Sequence, residues 1–426
     1  MQNVFVLGLT DWQRKELETV PLAGSLTFHD LLDEHTLVEA DTYDLTGLLD
    51  RARTQLADFD GTVDAIIAHW DFPTSVLAPV LAAERGIAAP SLASVLTFEH
   101  KYWSRLAQQQ CVPDVVPGFA AFDPFADDPL AQIDLEFPFW IKPIKSHSSQ
   151  LGFAIEDRAG FEAAITEIRA EIGRVGEAFD EALAMVDLPA EVAGIGGNHC
   201  LAEQIISGVQ AAPEGSMFRG EFLVHGLVDM HREDDGPSFD RIDYPAATVP
   251  SRVQERMTAI TEDLVRHVGF DDGCFNAEFM WDPDTDALWL IEVNTRISQS
   301  HSDLFSKVDG ASNHEFAIDI ALGRRPRPGA RQGRFGAAAK CFLTRDRDGT
   351  VQAVPTAADL DRVRERFPET VFTAVVEPGD RLSALPNQDP YRYVLGEAYL
   401  GAADTDALAA AFAEVQRLLP FIVTQE

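Results

Sequence analysis

Lysine is scarce in this chain of 426 residues: six occur, at positions 15, 101, 142, 145, 307 and 340, against 69 acidic residues. The formal charge of -35 argues against nucleic acid as a partner, because phosphate contacts from clustered Lys and Arg dominate such binding. Anionic membranes are disfavoured for the same reason. An acidic, lysine-poor surface suits a salt-tolerant protein, a statement about solubility and not about fold. Cysteine is also sparse. Cys111, Cys200, Cys274 and Cys341 lack CxxC spacing, so neither a disulfide framework nor a structural zinc site is indicated. No stretch approaches the roughly 18 apolar residues of a membrane span, and MQNVFVLGLTDW has no basic region or small-residue cleavage site. The expectation is a cytoplasmic protein. GxGxxG is absent, and so are internal repeats.

What is present begins with length, which suggests two to four domains. Apolar runs at 4–9 and 63–68 with helical pattern between them predict an open parallel α/β sheet, and SVLAPVLAAER (75–85) reads as a helix stopped at Gly86. A further helix runs from about Glu99 to Gln110 and carries Lys101. Residues 117–138 read as a Pro-rich loop and FWIKP (139–143) as a strand bearing Lys142. The loop after it, SHSSQLG (146–152), has the hydroxyls and small residues that wrap phosphate oxygens, although such a stretch is also an ordinary surface turn. Residues 161–183 read as one amphipathic helical stretch and 188–199 as a loop. Strands follow at 201–208 and 220–231. The recurrence of Val253, Met257, Ile260, Leu264 and Val268 marks a helix ended by Gly269. Residues 312–322 are helical, and strands at 337–344, 371–377 and 393–400 with a helix at 405–419 make an α+β terminal region.

Residues 275–304, FNAEFMWDPDTDALWLIEVNTRISQSHSDL (to Leu304), carry the densest signal. Two alternating runs flank Asp282-Pro283-Asp284-Thr285-Asp286, the pattern of a β-hairpin. Centring the turn on Thr285 sets Glu278 opposite Glu292, Asn276 opposite Asn294 and Trp281 opposite Trp289. One face then holds Phe275, Ala277, Phe279, Trp281, Trp289, Ile291 and Val293, a core face. The other holds Asn276, Glu278, Glu292, Asn294 and Arg296. Facing carboxylates at roughly 5 Å repel unless neutralised, and Mg²⁺ with oxygen ligands and a substrate phosphate would do so. A solvated face of an acidic protein fits the hairpin equally well.

In order along the chain come a helix with Lys101, FPFWIKP with Lys142, a phosphate-loop pattern, LAEQIISG, a helix, FNAEF and IEVNTRISQSH. This order resembles the ATP-grasp superfamily, in the branch containing biotin carboxylase and ATP-dependent amino acid ligases. The resemblance covers most of the chain, and EVNTRISQSH is its most specific part. It implies an α/β and α+β multidomain protein with an ATP-grasp fold, a Rossmann-like N-terminal domain and a small C-terminal α+β subdomain. The implied boundaries are 1–100 for the front domain, 101–135 for a linker helix and loop, and 136–208 for the small lobe. Residues 209–325 form the large lobe and 326–426 the terminal subdomain. ATP and Mg²⁺, with Mn²⁺ as a substitute, are the implied cofactors. Lys101 and Lys142 would contact phosphates, Ser148, Ser149 and Gly152 would lie on a lid, and Glu203, Gln204 and Ile205 would hold adenine. Glu278, Glu292 and Asn294 match the metal positions, Arg296 the residue facing the reacting carboxylate and phosphate, and His301 a substrate-orienting position, although a structural histidine fits there as well.

The implied reaction joins a carboxylic acid, an amino acid being one candidate, to an amine through an acyl phosphate, releasing ADP and phosphate. Small-molecule acid and amine are then the partners, and a homodimer is common among the proteins it resembles. Two departures bear on the alternatives. The lid pattern has few glycines, and Ser300 stands where a biotin carboxylase carries a glutamate, while no Met-Lys-Met motif occurs. Biotin carboxylation therefore ranks below ligation, and a nucleotide-binding protein without turnover ranks last.

Overall fold

The computed structural model describes the chain except residues 39, 41, 147–150, 233–237, 386–391 and 425–426. At the front, strands β1 (Gln2–Leu7), β2 (Leu26–Leu31) and β3 (Ala65–Ala68) form a parallel sheet in the order β2-β1-β3. Sequence pattern anticipates β1 and β3 but not β2. Only the two ends of LTFHDL are buried, so it offers no continuous apolar run. Phe5, Leu7 and Ile66 pack against the helices Leu45–Ala57 and Thr74–Ala83, the first capped by the Asp44 carboxylate accepting from the Gly47 amide. Gly8 follows β1, and its φ of +64° and close approach to the Trp70 indole disfavour larger residues.

The second sheet contains β4 (Phe119–Phe122), β5 (Phe139–Pro143), β6 (Phe153–Ile155) and β7 (Cys200–Gln204), antiparallel in the order β4-β7-β5-β6. β4 corrects the reading of 117–138 as loop: four residues, FAAF, suffice for an edge strand on β7. The amphipathic stretch at 161–183 is two helices, Arg158–Glu171 and Gly173–Leu183, joined at Ile172. Phe161, Ile165 and Ile168 bury against Phe139 and Ile141.

The large sheet gathers β8 (Val209–Phe218), β9 (Glu221–Arg232), β10 (Phe239–Tyr244), β11 (Gly273–Trp281), β12 (Leu288–Asn294) and β13 (Ala337–Arg345). After β14 (Val351–Ala353), strands β15 (Val371–Ala374) and β16 (Tyr393–Ala402) complete it, while β14 pairs with β17 (Ile422–Val423). Its order is β12-β11-β8-β9-β10-β13-β16-β15, so the terminal strands extend the sheet without interruption through the β10–β13 pair. β8 escapes sequence pattern because Pro213 and Gly215 sit inside it. A bulge follows Glu214, and a Cβ at Gly215 would lie 2.5 Å from the Leu223 carbonyl. The helix Ser251–Val268 lays Val253, Met257, Leu264 and Val265 on this sheet and stops at Gly269 in the left-handed region. Among the described residues no helix is long and apolar enough to cross a membrane.

Candidate functional site

The open end of the β11–β12 hairpin keeps the expected pairs, Asn276 with Asn294 and Glu278 with Glu292. Beyond Glu278 the register slips, and Trp281 faces Leu288 instead of Trp289. The extra residue is Ile291, and it resets which side chains point inward. Leu288, Leu290 and Val293, not Trp289 and Ile291, join Phe275, Ala277, Phe279 and Trp281 in the core. In an unbroken strand Leu288, Leu290 and Glu292 would share one face. The bulge sends the leucines to the core and leaves Glu292 for the site.

Arg105 braces this bulge. From the helix Lys101–Cys111 its guanidinium donates to the Leu290 carbonyl at 2.6 Å and the Ile291 carbonyl at 3.0 Å, and its Nε to Glu203 Oε1 at 2.5 Å. Glu203 also pairs with Lys142 Nζ at 2.6 Å. Burial would raise the Glu203 carboxyl, but Arg105 and Lys142 outweigh it and hold it at about 2. One buried carboxylate thus ties β7 and β5 to the helix behind β12.

In front of the hairpin lies a cavity of about 350 Å³ that brings together Lys101, Glu278, Glu292, Asn294, Arg296 and His301. Lys101 Nζ donates to the Ser146 carbonyl at 2.9 Å, and burial pushes its ammonium down to about 8 against the pull of Glu292. Glu278 accepts from Gln210 Nε2 at 2.9 Å and from Asn294 Nδ2 at 3.3 Å. Burial and then the facing Glu292 push its carboxyl up to about 7. Lys145, on the same wall, is paired with buried Glu99. The Nδ2 of buried Asn276 has no partner.

Arg296 is held by Asp71, which follows β3, through two hydrogen bonds of 2.8 and 3.0 Å. His301 is buried, with Nδ1 2.7 Å from Glu214 Oε2, while Asn313 Nδ2 donates to Glu214 Oε1 at 2.7 Å. Ser300 Oγ accepts from Lys340 Nζ at 3.1 Å. Asp71, Arg296, Ser298 and Ser300 also line a second cavity of about 520 Å³ between the front sheet and the terminal strands.

Lys142, Gly152, Glu203, Gln204 and Ile205 do not line the hairpin cavity; Lys142 and Glu203 spend their charges on each other, and Gln204 and Ile205 are exposed. Ser148 and Ser149 fall outside the described residues. Sequence reasoning missed Asp71, Glu99, Arg105, Lys145, Gln210, Glu214 and Lys340. The signal for Lys145 was available, three residues after Lys142 in a chain with six lysines. Asp71 and Lys340 carry none, because only folding brings them beside Arg296 and Ser300.

Glu278 and Glu292 could hold a hard cation: two carboxylates face each other with the Asn294 amide alongside, and burial together with Glu292 pushes Glu278 toward protonation. Among the described residues no group of three or more His, Cys, Asp or Glu converges as a metal site, so a cation here would need water or substrate oxygens to complete its shell.

Residues 241–327 match the family model described as the carbamoyl-phosphate synthase L chain, ATP binding domain. Relatives include the carbamoyl phosphate synthase large chains of Clavibacter sepedonicus, 40% identical over 81 residues, and Rhodopirellula baltica, 35% identical over 81 residues. Each match spans 19% of this chain and 7% of the relative. Among solved structures, L-amino acid ligase from Bacillus licheniformis superposes with a TM-score of 0.76 at 17% identity, covering 100% of this chain and 99% of that one. Biotin carboxylase from Campylobacter jejuni gives 0.62 at 13% identity over 99% and 92% of the two chains. N5-carboxyaminoimidazole ribonucleotide synthetase from Thermotoga maritima gives 0.65 at 12% identity over 100% of both. Across nearly its whole length the chain shares the fold of these three solved structures.

Proposed function

We propose that the protein is an ATP-dependent ligase that joins a carboxylic acid to an amine through an acyl phosphate, releasing ADP and phosphate. The observation that supports this most is the meeting of three kinds of group in one cavity: facing carboxylates Glu278 and Glu292, the cations Lys101 and Lys145, and Arg296 at the border with a second cavity. Nucleotide polyphosphate and an anionic acid repel each other, and a site that joins them must neutralise both.

In this reading Lys101 and Lys145 bind phosphate oxygens. Burial brings the Lys101 ammonium down to about 8, and an arriving polyphosphate would hold it charged. Arg296, aimed by Asp71, presents its planar fork to the acid and the transferring phosphoryl group. An oxygen of the acid attacks the γ-phosphorus and ADP departs; the amine then attacks the acyl carbon, loses a proton and expels phosphate. Glu278, Glu292 and the Asn294 amide oxygen would hold Mg²⁺. The cation would supply charge neutralisation at the phosphates. Lys142, Glu203 and the backbone near Ile205 remain proposed for the nucleotide, with Lys142 drawn from Glu203 when phosphate arrives. At position 300 stands a serine bound by Lys340, not an acid, which disfavours carboxylation of biotin.

Incubation with ATP, Mg²⁺ and a panel of acid–amine pairs, read by mass spectrometry, should give ADP, phosphate and a condensed product. AMP and pyrophosphate would overturn the acyl-phosphate route.

A further inference from the structure

We infer that the second cavity binds an unphosphorylated, zwitterionic amino acid with a flat aromatic or large apolar side chain. This rests on the ligase reading and names the substrate class of the same site. Four of its lining residues, Asp71, Arg296, Ser298 and Ser300, also line the hairpin cavity, so a ligand placed here presents its reacting group to the phosphate side. Its volume of about 520 Å³ suits a small molecule.

Charge selects the ligand first. The cavity's two cations are each paired with a carboxylate of the same cavity, Arg296 with Asp71 and Lys340 with Glu397 at 2.8 Å. Lys340 is further held over the rings of Phe342 and Tyr399, 4.8 and 5.7 Å from their centroids. His69, also on the wall, is kept neutral by burial and by His314 beside it. A phosphomonoester of about two negative charges would have to break both pairs and leave two carboxylates unpaired. A zwitterion exchanges with them like for like: its carboxylate takes a cation, and its ammonium takes the carboxylate so released.

The walls select the side chain. The whole chain has six tryptophans and six tyrosines, and this cavity takes Trp12, Trp70, Tyr43 and Tyr399 together with Phe72. Trp12, from the first helix of the front unit, stacks on Tyr399 of β16 at 5.9 Å and 28°. Trp70 is fixed by its indole N–H, which donates to the Gly8 carbonyl at 2.9 Å. Rigid rings presented from two sides bind a flat group at little entropic cost. Among the described residues, the hairpin cavity has neither Trp nor Tyr on its walls.

Calorimetric titration of the full chain with L-tryptophan, L-phenylalanine, glycine and ribose 5-phosphate, with and without ATP and Mg²⁺, tests this directly. The aromatic acids should bind at least about tenfold more tightly than glycine, with no heat from ribose 5-phosphate. Trp12→Ala should lose most of that discrimination and Trp12→Phe retain it. Equal affinity for glycine, tighter binding of ribose 5-phosphate, or no binding of any of the four would overturn the assignment. The two readings fail separately: ADP formation from other acids without aromatic preference removes this inference alone. Aromatic binding without ADP formation from any pair removes the ligase reading and leaves the pocket assigned.

Discussion

The two cavities share the Asp71–Arg296 pair and differ in almost everything else. Among the described residues, the hairpin side holds four acids, three of them glutamates, three cations, and no tryptophan or tyrosine; the other side holds two neutralised ion pairs inside aromatic walls. A fourth carboxyl unmatched by a cation, with Glu278 pushed up to about 7, marks a place where a cation is still to arrive. Balanced charge under rings marks a place that holds something already neutral overall. Arg296 is the group both sides can use, which is where a transfer between them would occur.

The largest effect is expected from behind the hairpin. Arg105→Ala removes the brace under the β12 bulge and leaves buried Glu203 to Lys142, and should cost about 3 kcal/mol in denaturant unfolding. A loss near zero would show that the bulge holds itself. Arg296→Ala should lower ADP formation roughly 100- to 1,000-fold while leaving the melting temperature within a few degrees. An effect confined to acid affinity, with turnover at saturation intact, would assign Arg296 to the aromatic side alone.

Smaller effects separate the charge states. Glu278 titrates at about 7 in the folded protein against a usual 4.5, so between those values the folded chain holds a proton that the unfolded chain has lost. Its contribution to stability therefore falls as pH rises through that window, and Glu278→Gln should flatten this part of the pH profile. Mg²⁺ binding near pH 6.5 should release about three quarters of a proton, seen by titration in buffers of different ionisation heat; no release would place the cation elsewhere. Lys101 works in the opposite sense. With its ammonium at about 8, ATP binding near pH 8.5 should take up a fraction of a proton, and Lys101→Met should abolish that uptake.

Much of the hairpin side was legible in sequence because it is local. Asn276, Glu278, Glu292 and Asn294 pair across one turn, and a period of two is enough to set them opposite one another. The same period failed at Trp289 and Ile291, since a bulge held by a distant arginine leaves no mark on alternation. The aromatic side was illegible. Trp12, Trp70, Lys340 and Tyr399 stand on four segments separated by up to hundreds of residues, and each by itself reads as ordinary surface or core.

The sequence by itself determined the order of parts and the acidic pair, which follow from hydrophobic period and turn chemistry, and it singled out Lys101 but not Lys145. Tertiary structure alone decided that Glu292 faces the site while Leu290 faces the core, that Glu203 serves Arg105 and Lys142, and that Asp71 orients Arg296. Those outcomes depend on which buried charges meet and on which strand absorbs an extra residue. Both are settled by the free energy of the assembled fold and not by any local run of residues.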